Sequence, residues 1–193
     1  MMMHHGAVAF SGKESGRGRA KRLLLATAVL AAGCGGHGSD SSPPVDTTAG
    51  VATQDARAVA ERNALLAYRG MLTAYARAGL TADPNGQLLA RYAAGSALTT
   101  LQTGLAHFRR AGQIIRGEYR SEPVPTDARP LPSPTVVSIM DCLDDRDFLV
   151  YTDSGEKVNN IVGGRRLTTA TVANRQGDEW KVITIAVQPA DIC

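Results

Sequence analysis

Leu65, Tyr68, Leu72 and Tyr75 recur at steps of three and four residues, the spacing that gathers side chains on one face of an α-helix. Asp55 and Glu61 near its start and Arg77 near its end complement the helix dipole, and Gly79 is placed to close it. Asp83-Pro84-Asn85-Gly86 predicts a turn, with a short helix over 87–93. Ser96 is a candidate N-cap for a further helix whose apolar face is Leu98, Leu101, Leu105 and Phe108, ended by Gly112.

The period then changes from helical to alternating. A strand is expected over 113–122, followed by a proline-rich connection over 123–134. Val137, Ile139 and Leu143 alternate with Ser138 and Cys142, as in a half-buried strand. Asp144-Asp145-Arg146-Asp147 turns into an apolar run over 148–152, and Asp153-Ser154-Gly155 turns again. Two β-rich runs, 167–174 and 180–188, flank Arg175-Gln176-Gly177-Asp178, a hairpin signal. Helices followed by an antiparallel meander define an α+β domain, its apolar helix faces laid on one side of a curved sheet.

The N-terminal third follows neither pattern. Positions 13–22 are basic and glycine-rich, and 23–32 are an uncharged run of ten residues. Ten are too few for a bilayer span, which needs about 20. A basic stretch, a short apolar stretch and small residues before a cut site describe a secretory signal. Leu30-Ala31-Ala32-Gly33-Cys34 has the form of a lipobox, with Cys34 the residue that would carry lipid, palmitate included. Beyond it, Gly35-Gly36-His37-Gly38-Ser39-Asp40-Ser41-Ser42-Pro43-Pro44 cannot bury apolar surface and is a flexible tether. The expected organisation is a signal peptide over 1–33, a tether over 34–51 and one folded domain over 52–193.

Charge changes meaning once that division is made. The whole chain carries 21 basic and 18 acidic side chains. Residues 1–33 hold five bases and one acid, a net of +4, which leaves 16 bases and 17 acids, a net of −1, for the remainder. A near-neutral domain without a basic stripe does not suit nucleic acid.

In order along the domain stand Ala67-Tyr68, Asp83-Pro84, the run Leu89-Ala90-Arg91-Tyr92-Ala93-Ala94-Gly95-Ser96-Ala97-Leu98, Asp141-Cys142-Leu143-Asp144-Asp145, Gly163-Gly164-Arg165-Arg166, Trp180-Lys181-Val182 and a terminal Cys193. In this order they resemble the small secreted or lipid-anchored actinobacterial proteins with a nuclear transport factor 2-like cone fold, over about residues 55–193. The resemblance implies helices on a curved antiparallel sheet and an envelope location. It implies no activity.

With Cys34 taken by lipid, Cys142 and Cys193 are left, and an exported domain usually pairs such cysteines. Asp141 shares the parity of Val137, Ile139 and Leu143, so it is expected to face inward and is the one weak candidate for a catalytic base. Tyr68, Tyr75 and Tyr92 are candidates for lining a ligand pocket, against the plainer reading of core aromatics. His107 lies one residue off an apolar face, a flank position. Asp141, Asp144, Asp145 and Asp147 lack the spacing of a calcium loop, and no motif calls for a metal or cofactor. Gly163-Gly164-Arg165-Arg166 is read as a loop with two solvated arginines.

The expected function is therefore that of a lipid-anchored, non-catalytic protein on the extracytoplasmic face of the cell membrane. It would bind a small apolar ligand or a membrane-protein partner across the open sheet face. A small dehydratase, isomerase or hydrolase using Asp141 or the pocket tyrosines is the rival, and a structural accessory subunit of an envelope complex is a third reading.

Overall fold

The computed structural model describes residues 47–158, 163–176 and 178–193, with side chains from Asp55 onward. The stretches expected to be a signal peptide and a lipobox with Cys34, most of the expected tether, and Gly177 lie outside the described residues.

Three helices precede six strands: α1 (Thr47–Gly79), α2 (Gln87–Tyr92), α3 (Gly95–Arg110), β1 (Gln113–Arg116), β2 (Val124–Arg129), β3 (Val136–Asp144), β4 (Leu149–Thr152), β5 (Arg165–Asn174) and β6 (Trp180–Val187). All strand pairs are antiparallel. Four strands form a sheet in the order β2-β3-β5-β6, and β1 pairs with β4 in a separate two-stranded sheet. Among the described residues, no helix is long and apolar enough to cross a membrane.

α1 is longer than the periodicity predicts. It starts at Thr47, inside the stretch assigned to the tether. Its buried face is also broader than the expected Leu65–Tyr68–Leu72–Tyr75 row. Ala60, Ala64, Ala67, Tyr68, Met71, Leu72 and Ala74 are buried, whereas Leu65 is only partly so. Alanines at this spacing let the helix backbone approach the sheet closely, with the bulk supplied from the strands. Those strands contribute Ala128, Val137, Ile139, Leu143, Ala170, Val172, Trp180 and Val182 to the same core.

Two sequence expectations change. Ser96 is not an N-cap: α3 already includes Gly95, and the Ser96 hydroxyl donates to the Ile183 carbonyl at 3.1 Å, tying the helix start to β6. The stretch expected to be a proline-rich connection contains β2, and the strand expected over 113–122 ends at Arg116. Pro125 is tolerated because β2 is an edge strand with a register shift between Pro125 and Asp127, where a missing N–H need not interrupt a ladder.

The end of β1 depends on a glycine. Gly117 has φ +119°, and a Cβ there would land on the Asp147 carbonyl oxygen, which is backbone and cannot swing away. Gly117→Ala is expected to destabilise by about 3 kcal/mol, strain and clash together. Urea denaturation checks this; a midpoint unchanged from wild type would contradict it.

Candidate functional site

The turn at Gly117 sends residues 117–122 across the end of β3. Arg120 and Asp144 exchange backbone hydrogen bonds (Arg120 N–H to Asp144 O, 3.0 Å; Asp144 N–H to Arg120 O, 2.9 Å), which fixes the segment. Tyr119 then stacks on Phe148 with ring centroids 4.2 Å apart, and the Tyr75 ring lies tilted 6.0 Å from Phe148. Across from the segment, the second half of α1 presents Leu72, Thr73, Ala76 and Arg77, and Leu80 follows in the turn after it. Between them lies a half-open cleft of about 450 Å³, closed on the other side by Gly117, Glu118 and Tyr119.

The adjoining Ser121 and Glu122 reach a buried carboxylate. Asp141 is 1% exposed, in the inward row with Val137, Ile139 and Leu143. Its Oδ2 accepts from the Tyr68 hydroxyl at 3.1 Å and the Ser121 hydroxyl at 2.7 Å, and its Oδ1 accepts from the Glu122 N–H at 2.9 Å. Both oxygens are thus engaged by donors, and Asp141 does not line the cleft. The arrangement joins α1, the 117–122 segment and β3 through one acceptor.

The three tyrosines proposed to line a pocket are elsewhere. Tyr68 is fully buried on Asp141, Tyr75 sits beneath Gly104 of α3, and the Tyr92 ring covers Gly70 of α1. None of them lines the cleft, which takes Tyr119 instead. His107 is exposed on α3, as its position off the apolar face implies.

Burial governs the phenols. It pushes Tyr75 up to about 12. It also raises Tyr119, with smaller contributions from Tyr75, Asp145 and Tyr68. Tyr68 is raised first by burial and then by the charge and hydrogen bond of Asp141. A phenol with a folded pKa above its unfolded value of about 10 binds its proton more tightly when folded. Its contribution to stability is complete below pH about 10 and is lost as the pH rises above that. Tyr68, Tyr75 and Tyr119 are therefore expected to ionise together with loss of near-ultraviolet circular dichroism. Absorbance at 295 nm reads this directly, and ionisation of every tyrosine near pH 10 in a still-native chain would contradict it.

Apart from Asp141, the acidic cluster is resolved into ion pairs. Asp144 pairs with Arg146, whose side-chain and then backbone N–H bonds hold its carboxyl well below the usual carboxylate range. Asp145 accepts from the Gly164 N–H at 2.7 Å and Arg166 Nε at 2.8 Å, and Asp147 pairs with Arg120 at 2.6 Å. Arg166 is therefore not the solvated side chain expected of the Gly163–Arg166 loop; its side chain is only 25% exposed. Among the described residues, no group of three or more metal-capable side chains is gathered.

Cys142 and Cys193 form a disulfide, with Cα atoms 5.9 Å apart and a sequence separation of 51. It fastens the last residue to β3. The tail on the way there stays beside β5, through Gln188 N–H to Leu167 O (3.0 Å) and Asp191 N–H to Arg165 O (2.6 Å).

The residues that sequence reading missed are Arg77, Leu80, Glu118, Tyr119 and Ser121. Only Tyr119, an aromatic in a polar stretch, carried a local signal. No protein-family model matches the chain, and no curated protein matches it. Among solved structures, the intermembrane space region of the chloroplast protein ARC6 is similar at a TM-score of 0.40 and 10% sequence identity, over 64% of this chain and 95% of that one.

Proposed function

We propose that the chain is a lipid-anchored envelope protein whose domain is a non-catalytic binding module of the nuclear transport factor 2-like cone type. The cleft between α1 and residues 117–119 carries this reading. Its volume of about 450 Å³ lies in the range of small-molecule pockets, and Leu72, Ala76, Leu80 and Tyr119 contribute apolar lining beside the polar Thr73, Arg77 and Glu118. Asp141 supports binding over catalysis, because its oxygens are taken up by three protein donors and it lies off the cleft wall. The anchor rests on Leu30-Ala31-Ala32-Gly33-Cys34, which would hold the domain on the extracytoplasmic face of the cell membrane.

The ligand class is a small apolar molecule. An environment-sensitive apolar dye is expected to bind wild type in one saturable step, and Ala76→Trp, which fills the cleft from α1, to weaken that binding at least tenfold. Circular dichroism confirms that the variant is folded. Absence of saturable binding by wild type, or undiminished binding by folded Ala76→Trp, rejects the cleft as the ligand site. The anchor is tested by the intact mass of the membrane-fraction protein, which is expected to begin at Cys34 with added acyl groups. A mass that retains residues 1–33 rejects it.

A further inference from the structure

The two edges of the four-stranded sheet are built differently. The β2 edge has Pro125, a register shift, and the charges of Asp127 and Arg129. Each of these devices discourages another strand from adding to an edge. The far half of β6 has none of them. Thr184-Ile185-Ala186-Val187 is uncharged and β-branched at three of four positions, and Val187 is 50% exposed.

Only the start of that edge is covered. Ala93 bridges Val182, the Ala94 N–H donates to the Val182 carbonyl at 2.9 Å, and Ser96 donates to the Ile183 carbonyl. The C-terminal tail does not cover the rest, since it follows β5. Gln188 N–H donates to Leu167 O, so by antiparallel alternation Ala186 and Thr184 turn their backbone groups toward β5. Ile185 and Val187 turn theirs outward. Among the described residues, no backbone or side-chain hydrogen bond meets Ile185 or Val187 on that side.

We propose that a second copy of this chain pairs with this edge, antiparallel about a two-fold axis at Ala186, so that two four-stranded sheets become one. The register follows from what flanks the stretch. Ile183 has its carbonyl occupied and Pro189 has no N–H, so pairing centred on Ala186 uses the groups that remain. Ile185 then exchanges both backbone bonds with Val187 of the partner subunit, and the reverse. A two-fold axis sets each residue beside its own kind or a near neighbour, which an uncharged segment accepts without like-charge repulsion. On the outer face the row Val124–Met140–Thr169–Ala186, free of charge, runs across all four strands to the axis. A strand-edge contact this short buries less than the about 1,200 Å² of standard interfaces, so the dimer is a weak one.

The test is disulfide trapping in the full chain. Ala186 is exposed, and at the axis it forms a non-hydrogen-bonded pair with Cα atoms about 4.5 Å apart, within disulfide reach. Thr169, one strand inward on the same row, would be about 14 Å from its mate, given the about 4.8 Å strand spacing. Under mild oxidation, Ala186→Cys is expected to yield a 186–186 linked peptide by mass spectrometry, and Thr169→Cys to yield none at 169. Adding Val187→Lys should reduce the 186 link at least tenfold. With the unsubstituted chain, the Ile185 and Val187 amides should exchange more slowly as concentration rises from micromolar to millimolar. No link at 186, equal links at 186 and 169, a link from 186 to a different protein, or exchange independent of concentration overturns the proposal.

Discussion

Asp141→Ala is expected to destabilise the domain by about 4 kcal/mol, because it leaves the Tyr68 hydroxyl, the Ser121 hydroxyl and the Glu122 N–H without their acceptor. Each orphaned buried donor costs about 1–3 kcal/mol, and water entering beside half-buried Ser121 and exposed Glu122 recovers part of it. For a chain of this size that corresponds to a fall in melting temperature of roughly 8–16 °C. Tyr68→Phe should cost less, about 1–2 kcal/mol, since Asp141 keeps two donors. The double variant should fall short of the sum, because a phenyl ring in place of the phenol has no hydroxyl left to orphan. Urea denaturation of the four proteins measures the coupling. An Asp141→Ala midpoint indistinguishable from wild type would sink this account of how α1, residues 117–122 and β3 are held together.

Loss of the Cys142–Cys193 disulfide should cost a similar amount by a different route. The bond closes a loop of 51 residues, for which the chain-entropy argument assigns about 4 kcal/mol to the restriction of the unfolded chain. Cys193→Ser, or reduction verified by mass, should lower the melting temperature by roughly 8–16 °C. The Gln188 and Asp191 amides, which bond Leu167 and Arg165, should exchange faster once the tail is released. Unchanged melting after complete reduction would show that the tail is held by its backbone bonds and that the loop carries little constraint.

The same residues show how much was legible beforehand. The 3.6-residue period located α1 and α3, and alternation located β3 and the β5–β6 hairpin, because each pattern is a local consequence of backbone geometry. Alternation also placed Asp141 on the inward row, which needs only its neighbours two residues away. The pairing of Cys142 with Cys193, which the structure contains, was expected from the export and lipidation assigned to the N-terminal stretch, without any knowledge of the sheet. Local reading failed where a residue's role depends on what faces it. The alanines of α1 stand outside the predicted row of Leu65, Tyr68, Leu72 and Tyr75 yet form much of its buried face, since a sheet approaches them closely. β2 looked like a proline-rich connection because an edge strand needs hydrogen bonds on only one side.

What the sequence by itself determined, then, was the kind and order of the elements other than β2, and the inward parity of Asp141. The tertiary structure alone decided that β3 takes β5 rather than β4 as its neighbour, that Tyr68 reaches Asp141 across 73 residues, and that the cleft is walled by Arg77, Leu80, Glu118 and Tyr119. Periodicity records which way a side chain points along its own element. Which element it meets is set by shape and burial summed over the whole chain, and no short stretch of sequence contains that sum.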